Sequence, residues 1–341
     1  MLKAKVSKIA NHSLRLLIVG ATLWYLYDQL VGGEKLQTVN DLLAQRLKDR
    51  SGFWFLLLAF ALMPLNLFLE SLKWQFQIRK LERLKLNKAY TAVLSGISVS
   101  MFMPNRMGDY LGRVFILEKG SHIKGILLTI IGSMAQLLVT IIIGSLALLF
   151  FLPSIAYFSD ETQWIYTAII VLILVILVAG IFVYFNIDLM YVIIKKLLPR
   201  KSQLVLPYVE VFKYFTHKQL AYILALSFLR YLVFSLQFIL FLWAFDLPLS
   251  YPEAIMLVGL SYLFITLIPT VALSELGVRG SVSIYLFSLW FQSRQLVFEN
   301  FELGVFVASS AVWLVNIAVP ALFGLLFIYR LKFFRRENGK A

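Results

Sequence analysis

Six predominantly apolar runs of near membrane-crossing length constrain this chain more than any other feature. They cover residues 14–31, 52–72, 124–151, 164–185, 220–245 and 301–329. A helix rises 1.5 Å per residue, so about 20 residues cover the ~30 Å hydrocarbon core. Apolar residues make up 60% of the chain, against about 45–50% in globular proteins. Spanning β-strands would alternate polar and apolar residues, and these runs do not. The expectation is an all-α polytopic membrane protein. Lys3, Lys5 and Lys8 precede the first run as in a secretory leader, but Asp28-Gln29-Leu30-Val31 lacks the small residues of a cleavage site. The run therefore reads as an uncleaved anchor.

The charge pattern sets the orientation. The formal net charge is +14. Its basic residues flank the apolar runs, which points to a membrane surface and anionic lipid rather than to nucleic acid. Lys3, Lys5, Lys8 and Arg15 precede the first span. Lys73, Arg79, Lys80, Arg83, Lys85 and Lys88 follow the second. Lys195, Lys196, Arg200, Lys201, Lys213 and Lys218 follow the fourth, and Arg330, Lys332, Arg335, Arg336 and Lys340 follow the last. Residues 152–163 and 246–253 hold neither lysine nor arginine. The excess of basic residues places both termini in the cytoplasm. The first outer loop runs against this trend, with Lys35, Arg46, Lys48 and Arg50 offset by Glu34, Asp41 and Asp49. The chain has no cysteine, which excludes disulfides, thiolate metal sites and a cysteine nucleophile.

By parity, residues 88–120 start and end inside, and residues 251–292 start and end outside, so each forms a hairpin. The first limb of the first hairpin, 89–103, has length for only about 22 Å of helix, and its second limb carries Arg106, Asp109, Arg113 and Glu118. Both hairpins read as re-entrant, because irregular backbone at depth is tolerated where it lines a cavity. Eight full spans keep the same parity and stay open, above all for the second hairpin. Each half then runs span, span, hairpin, span, from opposite faces. This is an inverted-topology repeat within one membrane domain (1–341), with halves 1–151 and 164–330 and a basic tail, 331–341. Residues 186–218 and 39–48 have the pattern of interfacial amphipathic helices.

Two stretches carry charge where lipid would exclude it: Met103-Pro104-Asn105-Arg106-Met107-Gly108-Asp109-Tyr110-Leu111-Gly112-Arg113, and 269–280, which opens on Pro269. Charge at membrane depth usually faces a protein interior or wet cavity and serves function. Asp109/Arg113 and Glu275/Arg279 each lie one helical turn apart. Arg113 and Arg279, with Arg106, are candidate phosphate donors, since guanidinium is a rigid fork. Asp109 and Glu275 would hold those arginines or accept from an amine, and they are candidate proton carriers. The plainer alternative makes each pair a neutralised turn. Pro104 and Pro269 would end the first limbs. Gly108, Gly112, Gly277 and Gly280 would let backbone approach a headgroup. Arg230, mid-span, is a phosphate ligand or a counter-ion for one of the acids or, equally, one member of a buried pair that locks two helices. Glu70 and Lys73 would line the inner mouth of their span or, more plainly, anchor it at the interface. Asn66 and Asn316, near Pro64 and Pro320, suit helix packing, and Gly132 and Gly144 suit close helix contact. His12, His122 and His217 lack ligand spacing, so no metal or other cofactor is expected. No catalytic motif is visible.

The run Pro104 to Arg113 resembles the P-x-R-x-G-E-x-x-R signature of the lysylphosphatidylglycerol synthase transmembrane (flippase-domain) family. Glu275-Leu276-Gly277-Val278-Arg279-Gly280 resembles that family's G-x-G-V-R-E stretch, and Leu69-Glu70-Ser71-Leu72-Lys73-Trp74 its acid-then-basic-Trp ending. Asp109 stands where glutamate is usual, Glu275 replaces the first glycine, and Gly280 replaces the final glutamate. The resemblance implies a stand-alone flippase of the bacterial inner membrane, the translocating half without an aminoacyl-transferase domain. The expected activity is movement of a phospholipid or lipid-phosphate between leaflets. The alternatives are a membrane transferase acting on a polyprenyl phosphate or lipid headgroup, and a non-catalytic partner of a separate lipid-modifying enzyme. Anionic membrane lipids are the expected partners, with a homo-oligomer left open.

Overall fold

The computed structural model describes residues 44–101, 103, 106–118, 121–156, 161–197, 202–269, 272–296 and 301–328. The expected first span, residues 39–43, His12, Pro104 and the basic tail lie outside them. All regular structure among the described residues is helical. In chain order the helices are α1 (Arg50–Ile78), α2 (Leu86–Ser100), α3 (Gly108–Val114), α4 (His122–Ile155), α5 (Gln163–Phe185), α6 (Leu189–Leu197), α7 (Ser202–Val209), α8 (His217–Ala244), α9 (Tyr251–Leu267), α10 (Ala272–Ser293) and α11 (Phe301–Leu325). Among them α1, α4, α5, α8 and α11 are long and apolar enough to cross a bilayer. They are the second to sixth spans expected from the sequence, and the chain is a multi-pass helical membrane protein.

Local chemistry explains the helix ends. The Asp49 carboxylate accepts from the Gly52 amide at 2.8 Å and from the Ser51 hydroxyl at 2.5 Å, capping α1. Those bonds hold its pKa below the usual carboxylate range. Thr216 with Gln219 and Ser250 with Glu253 form capping boxes at the starts of α8 and α9. α1 continues past Leu72, where its apolar run stops, because the next turn is buried. The Trp74 indole N–H donates to Thr129 Oγ1 at 3.0 Å, and the Gln77 amide lies against Gly132. In α11 a π turn, Leu314–Ala318, precedes Pro320. A π turn breaks the regular backbone ladder, so proline's missing N–H is tolerated there, and it displaces Asn316 toward the interior.

The packing is reciprocal. α1 lies along α8, α2 packs on α11, and α9 packs on α4. Gly144 of α4 meets Leu263 and the Gly259 carbonyl of α9, while Gly324 of α11 meets the Leu94 carbonyl and Ser98 of α2. The Ser98 hydroxyl donates to the Ala321 carbonyl at 2.6 Å. A side chain at Gly324 has nowhere to go. Gly324→Val is therefore expected to cost about 1–3 kcal/mol, read as a fall in thermal midpoint in detergent. An unchanged midpoint would mean the crossing yields.

The two hairpins differ in reach. The second limb of the first, α3, has 7 residues and covers only ~10 Å, whereas α10 has 22, enough for ~33 Å. α5 packs mainly on α4 and leaves Leu172, Val175, Val178 and Phe182 exposed, as a lipid-facing span would. α6 falls inside the expected interfacial stretch. Met190, Tyr191 and Ile194 turn toward the core, while Leu189, Val192, Ile193 and Leu197 form an exposed apolar stripe beside Lys195 and Lys196.

Candidate functional site

Charge converges where the C-terminal part of α1 meets α3 and the middle of α8. Glu70 of α1, only 6% exposed, is the hub. Its Oε1 accepts from Arg113 Nη1 at 2.5 Å, and its Oε2 lies 2.8 Å from Lys73 Nζ and 3.2 Å from Arg230 Nη1. Arg113 also grips Asp109 with a two-point fork, Nε to Oδ1 at 2.8 Å and Nη2 to Oδ2 at 2.5 Å. Glycine makes this possible. Gly112 abuts the Gly96 backbone and Gly108 the Val99 carbonyl, so α3 lies directly on α2, and a Cβ on Gly96 would strike Asp109 and Arg113.

A polar chain leads away from Arg230. Its Nε donates to Asn66 Oδ1 at 2.8 Å and its Nη1 faces Gln136 Oε1 at 3.5 Å. Asn66 donates to Asn316, whose Nδ2 donates to Gln237 Oε1 at 3.0 Å. Gln237 in turn donates to the Ala59 carbonyl at 2.9 Å. Buried amides satisfied in series fix one arrangement of α1, α8 and α11. Asn66→Leu breaks two of these bonds and leaves Arg230 and Asn316 short of partners. It is expected to cost about 1–3 kcal/mol, measurable as a lower thermal midpoint. Retention of the midpoint would show that the chain does not hold the helices together.

Beside this network lies a cavity of about 230 Å³. Arg106 at the tip of the first hairpin, Arg230 of α8 and Arg279 of α10 all line it, and none of the described residues that line it is acidic. Arg106 holds a left-handed backbone, φ 57°, a sparsely populated conformation for a non-glycine residue that clusters at ligand clamps. Arg279 gives Nε and Nη2 to Glu275 Oε1, at 3.1 and 2.9 Å, and Nη1 takes no part in that pair. Phe234, Ile265, Val312 and Ile317 give part of the wall an apolar surface, beside polar groups that include Gln136 and Asn316. A larger hollow of about 520 Å³ lies near the C-terminal end of α4, and no described residue that lines it is charged.

The expected site residues therefore divide. Arg106, Arg230 and Arg279 meet at the cavity. Arg113 does not line it, because Asp109 and Glu70 occupy its guanidinium. Glu70 and Lys73, placed by the sequence at an inner mouth or interfacial anchor, are instead interior, 6% and 2% exposed. The reason is that α1 runs on for another turn and three cations neutralise Glu70. Arg230 is a counter-ion to that acid and a cavity residue at once. Asp109 and Glu275 both hold arginines. Gly108 and Gly112 serve helix contact, Gly280 packs on Phe306, and Gly277 faces open space. Pro269 is exposed just after α9. Gln136, Gln237, Tyr231, Tyr262 and Trp313 join the site without having been expected from the sequence. The two glutamines were visible as lone amides within apolar runs; the aromatic residues left no signal.

The family described as the lysylphosphatidylglycerol synthase TM region matches residues 13–298. The chain belongs to this family. No curated protein and no solved structure matches it. The matched region contains Glu70, both charged stretches and Arg230. It ends before α11, which completes the cavity through Val312, Trp313, Asn316 and Ile317. Membership in this family makes the protein a membrane protein with a lipid-related role.

Proposed function

We propose that this family member translocates a phosphate-bearing lipid between leaflets, with the headgroup passing through the arginine-lined cavity. One observation carries the reading: among the described residues, three guanidiniums and no carboxylate line a cavity near the mid-length of crossing helices. Guanidinium is the group best shaped for phosphate, and at depth its charge calls for an anion. The apolar wall suits the acyl end of the same molecule. The reciprocal packing of α2 on α11 and α9 on α4 is the arrangement expected of an inverted repeat, in which one half rocks against the other. We place the protein in the bacterial inner membrane with both termini cytoplasmic, as its basic loops suggest. Drive comes from an ion gradient or from mass action.

The test is leaflet exchange in vesicles carrying purified full-length protein and an acyl-labelled phosphatidylglycerol, followed by quenching of outer-leaflet label. Exchange is expected to fall about ten-fold, a loss near 1.4 kcal/mol of stabilisation, when Arg106 and Arg279 are both changed to glutamine. Wild-type exchange by a folded double variant would reject the reading.

A further inference from the structure

We infer that the cavity selects a headgroup ending in a doubly charged phosphate, a phosphomonoester or diphosphate, with no amine. This deepens the reading above and rests on it. Three acids lie around the cavity, and each is already bound by cations. Glu70 is held by Lys73, Arg113 and Arg230, Asp109 by Arg113, and Glu275 by Arg279. None of the three lines the cavity. An incoming ammonium would find guanidiniums and no free acid, and like charges at close range repel strongly where the dielectric is low.

The charge balance points the same way. Among the described residues, Lys73, Arg106, Arg113, Arg230 and Arg279 face Glu70, Asp109 and Glu275, five cations against three carboxylates, which leaves two positive charges. Arg106 has no ion-pair partner among the described residues. A phosphomonoester carries a charge of about −1.5 to −2 near neutral pH, which matches that excess. A phosphodiester supplies one negative charge, and a zwitterionic or aminoacylated headgroup supplies no net negative charge.

At about 230 Å³ the cavity has room for a phosphate group. Phe234, Ile265 and Ile317 on its wall, and the exposed Leu267 and Ile268 just beyond, favour a lipid over a free phosphate as the source.

The experiment is native mass spectrometry of detergent-solubilised full-length protein. It is equilibrated with equimolar dioleoyl phosphatidic acid, phosphatidylglycerol, phosphatidylethanolamine and lysylphosphatidylglycerol, with inorganic pyrophosphate as the soluble competitor. Phosphatidic acid is expected to be retained about ten-fold over phosphatidylglycerol, with both amine lipids below that. The preference should vanish in Arg106→Gln/Arg279→Gln and survive in Arg106→Lys. If the double variant does not fold, Arg106→Gln alone serves, since that residue leaves no ion-pair partner behind. Arginine-dependent retention of either amine lipid at the level of phosphatidic acid overturns the headgroup class while leaving lipid binding in place. Equal retention of all four lipids, indifferent to the arginines, overturns both the class and the proposed function. Displacement of phosphatidic acid by equimolar pyrophosphate overturns the lipid source.

Discussion

Glu70→Gln is expected to be among the most destabilising single substitutions in this chain. The side chain changes little in shape, but the negative charge that Lys73, Arg113 and Arg230 share is lost. Arg113 keeps Asp109. Lys73, 2% exposed, has no other carboxylate in its described ion pairs. Removing one partner of a buried pair typically costs about 3–5 kcal/mol, because the surviving charge stays desolvated, whereas replacing both by apolar groups is often near neutral. Thermal unfolding in detergent should therefore show a large drop for Glu70→Gln and a substantial recovery for Glu70→Gln/Lys73→Met. A single variant that melts like wild type would mean water reaches the cluster. A double variant no better than the single would mean Lys73 is not the stranded charge.

Arg230→Lys should separate function from stability. Arg230 spans two tasks: Nε binds Asn66 while Nη1 reaches toward Glu70 and Gln136. A lysine retains the charge that balances Glu70, so the fold should survive with a modest loss. It is a point charge and cannot hold Asn66 and present a planar fork to the cavity together. Leaflet exchange is expected to fall about ten-fold or more, equivalent to at least ~1.4 kcal/mol, with a thermal midpoint close to wild type. Exchange at the wild-type rate would remove Arg230 from the translocation path. A collapse of the midpoint would make its role structural first.

These expectations depend on contacts of very different legibility. The local pairs were readable, because Asp109 and Arg113, like Glu275 and Arg279, sit one helical turn apart and must share a face. Arg230 was readable as a misfit in an apolar run, with a counter-ion or a phosphate as its partner. The hub was not. Glu70 lies 43 positions from Arg113, and Asn66 lies 250 from Asn316. Hydropathy ended α1 at the very turn where Lys73 and Trp74 go inside, since a window of side-chain polarity cannot distinguish a charge at the lipid surface from one buried among counter-charges.

By itself the sequence determined the helical membrane architecture, five of the spans described here and the two charged hairpin stretches. It could do so because lipid demands continuous apolar length and tolerates charge only under protest. Tertiary structure alone decided which arginines face the cavity. Arg113 and Arg279 occupy matching places in their motifs, yet Glu70 and Asp109 close around Arg113, while Arg279 meets one acid and stays on the cavity wall. The difference is how many carboxylates each guanidinium can reach, and long-range helix packing sets that number.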